Sequence, residues 1–69
     1  MDKWKSINDI IFLLRTGKRL RIYKDSNEKQ VYFEKEIFFY TESGIKYKIS
    51  NIDKFLLELF LAGYKGSFV

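Results

Sequence analysis

The sequence predicts a small α+β domain in which two helices flank an antiparallel meander of three or four strands. Three observations carry this prediction: apolar residues recur at helical spacing near both ends, apolar and polar residues alternate between them, and short polar turns separate the alternating segments. A chain of 69 residues has room for one domain. We therefore treat residues 1–69 as a single α+β domain.

The first helix is predicted over about residues 6–16. Ser6 stands three residues before Asp9, which is the spacing of a helix start whose hydroxyl accepts hydrogen bonds from first-turn N–H groups. Apolar residues then recur at helical spacing, and Gly17 follows where a left-handed residue ends many helices. We expect the residues before Ser6 to form a loose lead-in anchored by Trp4.

The middle of the chain alternates between apolar and polar residues and predicts strands at about 18–24, 30–34, 36–41 and 45–49. The stretch from Gln30 to Thr41 admits one long strand or a hairpin. We favour a hairpin because three consecutive charges interrupt the apolar run and strands average about 5–6 residues. The sheet face expected to pack against the helices carries Leu20, Ile22, Val31, Phe33, Ile45, Tyr47 and Ile49.

The last helix, predicted over about residues 50–62, is the most apolar element. Ser50 and Asp53 give it a second Ser-x-x-Asp start, and Gly63 ends it before a tail at 63–69. Fully burying one large apolar side chain stabilises by roughly 1.5–3 kcal/mol, so we expect the other elements to cover most of this helix. Its seven large apolar residues are Ile52, Phe55, Leu56, Leu57, Leu59, Phe60 and Leu61.

The chain lacks cysteine and histidine, so it has neither a disulfide nor a common structural zinc site to stabilise it. Dense aromatic packing, with 19% of residues aromatic, and oligomerisation are the remaining routes. The same absence removes the commonest general base and the thiolate nucleophile. Glu34 and Glu36 are interpreted as a pair of surface carboxylates and not as a catalytic acid and base. The glycines stand singly, so none belongs to a glycine-rich phosphate-binding loop. We expect no catalytic residue, cofactor, metal or small-molecule substrate.

The leading functional hypothesis is a protein-interaction or regulatory role, with the protein acting as a homodimer. The last helix has more apolar surface than one small sheet and one short helix can cover. The alternative is that the tail folds back and covers it with Tyr64 and Phe68. We favour self-association because the chain has no other stabilising cross-link. The predicted protein interface consists of Leu57, Leu61, Tyr64 and Phe68.

The alternative hypothesis is a nucleic-acid-binding module. The chain has a net charge of +4, and aromatic residues flanked by Lys and Arg on a sheet are typical of proteins that hold single strands. Against it, basic residues on edge strands also block aggregation, the rings could be covered within the protein, and Glu34 and Glu36 would repel phosphate. The candidate residues are Arg19, Arg21, Tyr23, Tyr32, Tyr40, Lys46 and Lys48, and Phe38 is expected on the same outer face.

The sequence also predicts a cytoplasmic protein that does not bind membranes. No apolar run approaches the ~20 residues needed to span a bilayer, and charges interrupt the first fifteen residues, where a signal peptide would lie. Contact with a membrane surface ranks last among the functions because the apolar helix has no basic polar face.

The helix–strands–helix order resembles that of the double-stranded RNA-binding domain. That family opens its last helix with a run of lysines, whereas this chain has one lysine beside an acid in Ser50–Lys54, so the resemblance is confined to element order. The amino-acid composition, which is rich in Lys, Ile, Asn and Phe, is similar to that of proteins from AT-rich bacterial or phage genomes. By analogy, this similarity implies an accessory factor from a phage or a mobile element.

Overall fold

A computed structural model of the protein describes residues 6–69, so the expected role of Trp4 lies outside the described residues. Two helices and five strands follow one another in the order helix, four strands, helix, strand. Their bounds are α1 (Ile7–Arg15), β1 (Leu20–Lys24), β2 (Asn27–Glu34), β3 (Ile37–Glu42), β4 (Ile45–Ile49), α2 (Ile52–Leu61) and β5 (Lys65–Phe68).

The strands form one antiparallel sheet in the order β4-β3-β2-β1-β5. The first four are a meander, which confirms the α+β fold class and the hairpin between Gln30 and Thr41. The tail adds the fifth strand, which the sequence did not predict. Phe68 pairs with Leu20, and the Val69 N–H donates to the Arg19 carbonyl at 3.0 Å. The tail therefore closes the β1 edge of the sheet.

Helix α1 begins and ends where the sequence predicts. The Ser6 hydroxyl accepts a hydrogen bond from the Asp9 N–H at 3.2 Å, and Gly17 takes a positive φ of 104° just after the helix. The helix buries Ile10 and Leu14 completely. Local sequence signals are sufficient here because both caps form within α1 and the residues next to it.

Helix α2 is capped by Asn51, so the prediction that Ser50 caps it is wrong. The Asn51 Oδ1 accepts from the Lys54 N–H at 3.1 Å, while Ser50 forms a bend directly after β4. At the other end, the Lys24 ammonium donates to the Ala62 carbonyl at 2.6 Å. The last turn of α2 has no basic residue, so a lysine from β1 supplies the positive charge that a helix C-terminus favours.

Both helices pack on the same face of the sheet. Between this face and the helices lies a core of Ile10, Leu14, Leu20, Ile22, Val31, Phe38, Ile49 and Leu56. Ile45 and Tyr47 belong to this face by register but remain 53% and 40% exposed, because β4 is an edge strand.

The expectation that α2 is covered on most of its circumference is wrong. Leu56 is its one fully buried residue, whereas Leu57 and Leu61 are 44% and 73% exposed. The sheet and α1 contact the side of α2 that carries Leu56, which leaves the opposite side in solvent. A two-layer domain covers a helix from one side only.

The turn between β2 and β3 has two residues, Lys35 and Glu36, both with positive φ (51° and 68°). Glu34 pairs directly with Ile37, and directly opposed residues lie on the same face of a sheet. This register shifts the alternation by one residue, so the predicted placement of Phe38 and Tyr40 on the outer face is wrong. Both face the helices, and Ile37 and Phe39 take the outer positions.

The β2–β3 turn has unfavourable residues, since two-residue turns with both φ values positive prefer Asn-Gly. We expect the double variant K35N/E36G to stabilise the protein by about 1 kcal/mol, which raises the melting temperature by roughly 4–8 °C for a domain of this size. Thermal unfolding followed by circular dichroism measures this shift. The control is Gly44→Ala in the β3–β4 turn, where φ is 79° and the change should lower the melting temperature. A double variant that melts no higher than wild type would contradict the assigned turn.

Candidate functional site

The sheet face opposite the helices is called here the open face, because none of its described residues is fully buried. Direct pairing across the strands arranges its side chains in rows. The ring row consists of Tyr32, Phe39 and Lys48, together with Arg19, which stands directly before β1 and lies over the Tyr32 ring. The polar row beside it consists of Ser67, Arg21, Gln30, Thr41 and Lys46. The third row consists of Lys65, Tyr23 and Glu28.

Two aromatic rings stand at the centre of the ring row. Tyr32 and Phe39 are direct cross-strand partners, with centroids 5.8 Å apart and planes inclined by 28°. The Arg19 guanidinium lies 4.3 Å from the Tyr32 centroid, and the Lys46 ammonium lies 4.2 Å from the Phe39 centroid. Each ring of the stacked pair therefore has a cation over it.

A third ring, that of Tyr23, lies on β1 near the other end of the open face. The Arg21 guanidinium lies 4.5 Å from its centroid, and the Arg21 Nε also pairs with a Glu28 carboxylate oxygen at 3.1 Å. Tyr23 pairs with Glu28, four residues before Tyr32 on β2. At about 3.3 Å per residue, Tyr23 stands about 13 Å along the strand direction from the Tyr32–Phe39 pair.

The open face is positively charged. Its three rows carry the cations Arg19, Arg21, Lys46, Lys48 and Lys65. Two carboxylates lie among them, and each is paired: Glu28 with Arg21, and Glu34 with Lys46 at 3.2 Å. The hydrogen bond to Glu34 is the main cause that raises the pKa of Lys46 above its usual value. Because Glu34 is paired with Lys46, it opposes an anionic ligand less than an isolated carboxylate would.

The polar row places two uncharged hydrogen-bonding side chains between these cations. Gln30 and Thr41 are direct cross-strand partners, and both are half-buried. In the described part of the chain, neither the Gln30 amide nor the Thr41 hydroxyl forms a side-chain hydrogen bond. Both groups are available to a ligand.

The structure brings together most of the residues predicted for nucleic-acid binding. Those on the open face are Arg19, Arg21, Tyr23, Tyr32, Lys46 and Lys48. Tyr40 is the exception, because its ring stacks at 4.9 Å on both Tyr47 and Phe55 on the helix side. Phe39 takes its place, and sequence reasoning missed it. If the charges after Glu34 had been recognised as a two-residue turn, the alternation beyond that turn would have placed Phe39 on the open face.

The residues predicted as a protein interface divide into two groups. Leu57 and Leu61 are exposed on the outer side of α2, four residues apart and therefore on one face. Tyr64 and Phe68 instead pack against the core, and the Lys29 ammonium lies 5.6 Å from the Tyr64 ring centroid. The tail thus folds back, as the alternative interpretation expects, but it leaves Leu57 and Leu61 uncovered.

Other kinds of site have little support in the described part of the chain. Residues 6–69 contain no group of three or more His, Cys, Asp or Glu side chains placed to hold a metal ion. A shallow cleft of about 370 Å³ lies between the end of β4 and the start of α2, where Lys48 and Lys54 line it. Among the same residues, no helix has the length and apolar character required to cross a membrane.

Comparison of the chain with protein families, with characterised proteins and with solved structures finds no match. A functional assignment therefore depends on two surfaces of this molecule, the open face of the sheet and the exposed side of α2.

Proposed function

We propose that the protein is a non-enzymatic binding module that holds single-stranded nucleic acid on the open face of its sheet. The observation that carries this proposal is the stacked Tyr32–Phe39 pair in the middle of an uncovered sheet, with cations over both rings. Bases stack on such rings while phosphates meet the flanking cations. The cytoplasmic location expected from the sequence belongs to the same proposal.

The geometry favours single strands over duplexes. The bases of a duplex are stacked on one another, so their flat faces cannot reach rings that lie in a sheet surface. An unpaired strand can lay its bases on Tyr32 and Phe39, which every base can do because every base has a π face. The five cations of the open face lie on three strands, β1 (with Arg19 directly before it), β4 and β5, where they can follow a phosphate backbone.

Binding requires the cations over the rings to yield to bases. An exposed cation–π contact is worth about 0.5–1 kcal/mol, whereas a base stacked on an aromatic ring is worth about 1–3 kcal/mol. The exchange of a guanidinium for a base over Tyr32 is therefore favourable. The displaced Arg19 remains beside the ligand, where it can pair with a phosphate or stack on the next base.

The charge of the open face predicts affinity that falls steeply with salt. For single strands, each neutralised phosphate contributes about −0.7 to the slope of log K against log salt. We expect Arg19→Ala and Lys48→Ala each to weaken binding and to reduce this slope by roughly that amount. Fluorescence anisotropy with a labelled mixed-sequence single strand, titrated at several salt concentrations, measures both quantities.

The control for these charge variants is Lys54→Ala, which removes the same charge from α2 in the helix layer. It should weaken binding less than either open-face variant and leave the slope unchanged. If all three variants weakened binding equally, net charge would account for the effect, and the open face would not be the site.

The aromatic rings predict a second loss of binding affinity, which does not depend on salt. We expect Tyr32→Ala and Phe39→Ala each to weaken binding roughly 5- to 150-fold, which corresponds to the stacking free energy of about 1–3 kcal/mol per base. Phe12→Ala is the matched control, because Phe12 is 66% exposed on α1. Melting curves verify that each variant is folded. Wild-type affinity in both folded ring variants would rule out stacking on this pair.

A second proposal rests on the outer side of α2. The exposure of Leu57 and Leu61 supports self-association as a homodimer, or capture of a protein partner in a regulatory role. Burying each leucine is worth up to roughly 1.5–3 kcal/mol. This surface lies on the helix layer and the open face on the sheet, so a dimer of this kind leaves nucleic-acid binding unobstructed.

Self-association predicts a mass that rises towards that of a dimer with protein concentration. Leu57→Glu and Leu61→Glu should each restore the monomer, because a carboxylate would be desolvated in the interface. Light scattering over a dilution series measures the mass. Val69→Glu, at a position 80% exposed beyond β5, is the control and should leave the mass unchanged. A wild-type protein that stayed monomeric at the highest concentration would exclude the dimer.

A further inference from the structure

We infer that Gln30 and Thr41 read the edge of the base that stacks on Tyr32 and Phe39, and that adenine is the base they favour. The inference rests on the proposed function, because it names the nucleotide that the open face would select. It adds a specificity-determining pair to a surface whose rings and cations have no base preference of their own.

The position of the pair follows from the register of β2 and β3. Gln30 stands two residues before Tyr32 on β2, and its partner Thr41 stands two residues after Phe39 on β3. At about 3.3 Å per residue, the pair lies about 7 Å from the ring pair on the same face. A base stacked on the rings therefore turns one of its edges towards the amide and the hydroxyl.

Both groups lack a hydrogen-bond partner in the described part of the chain. They are half-buried in the middle of the open face, between the ring row and the row of Tyr23. A polar group with reduced access to water is costly when a ligand covers it without pairing it. A base that satisfies both groups is therefore preferred over one that buries them unpaired.

The chemistry of the pair favours adenine. On the Hoogsteen edge of a base, adenine alone places a donor, N6, beside an acceptor, N7, and this arrangement matches the donor and acceptor of one glutamine amide, so the inference is that this edge faces the pair. Arginine and lysine would instead select guanine through O6 and N7. The cations of the polar row, Arg21 and Lys46, are paired with Glu28 and Glu34. We therefore expect the uncharged pair, and not these cations, to hydrogen-bond the base edge.

The experiment compares a short oligo-dT strand with versions whose central nucleotides are dA, dC or dG, at one salt concentration. We expect the dA version to bind wild type roughly 5- to 150-fold more tightly than the others, as a good bidentate pair discriminates by about 1–3 kcal/mol. Gln30→Met keeps the volume and removes the amide, and Thr41→Val removes the hydroxyl. Both should reduce this ratio towards one without changing the salt slope, while Asn8→Ala, which removes an exposed amide from α1 in the helix layer, should preserve it.

The outcomes separate this inference from the proposed function. Equal affinity for all four strands, with binding still lost in Tyr32→Ala, would overturn base selection and leave a sequence-neutral platform. A preference for dG, or a dA preference that persists in Gln30→Met, would overturn the role assigned to the pair. If wild type bound none of the strands at low salt, the proposed function itself would fail.

Discussion

The rest of the structure depends on the register of the β2–β3 hairpin, which decides the sheet face that each β3 side chain takes. Because the turn has two residues, Glu34 pairs with Ile37 and the alternation shifts by one position. That register gives Phe38 to the core and Phe39 to the open face, where it meets Tyr32. A slip of one residue would move every β3 side chain to the opposite face, and both the core and the ring pair would be lost.

The two-layer arrangement explains why so small a domain has two uncovered surfaces. Both helices pack on one sheet face, so the other face remains open, and α2 is covered only on the side of Leu56. The tail joins the layers, since Phe68 packs against the core while Lys65 and Ser67 extend the open face. Stability comes from a single thin core, which leaves the open face and the outer side of α2 uncovered.

The open face combines attraction for an anionic chain with local charge balance. Its two carboxylates are paired with Arg21 and Lys46, so neither stands as an isolated negative charge on this face. The cation contacts keep the aromatic rings of Tyr32 and Phe39 partly shielded in the free protein. This arrangement limits the aggregation that an uncovered aromatic sheet would otherwise promote.

The sequence by itself determined the features that depend on neighbouring residues. The Ser6 cap, the Gly17 stop and the alternation within single strands are local, so the fold class and most of the open face could be predicted. Only the tertiary structure decided which sheet face Tyr40 takes, that the tail forms a fifth strand, and that Leu61 is exposed. Alternation reports the faces within one strand but not across a turn of unknown length, and the pairing of the tail or the covering of a helix depends on residues far away in the chain.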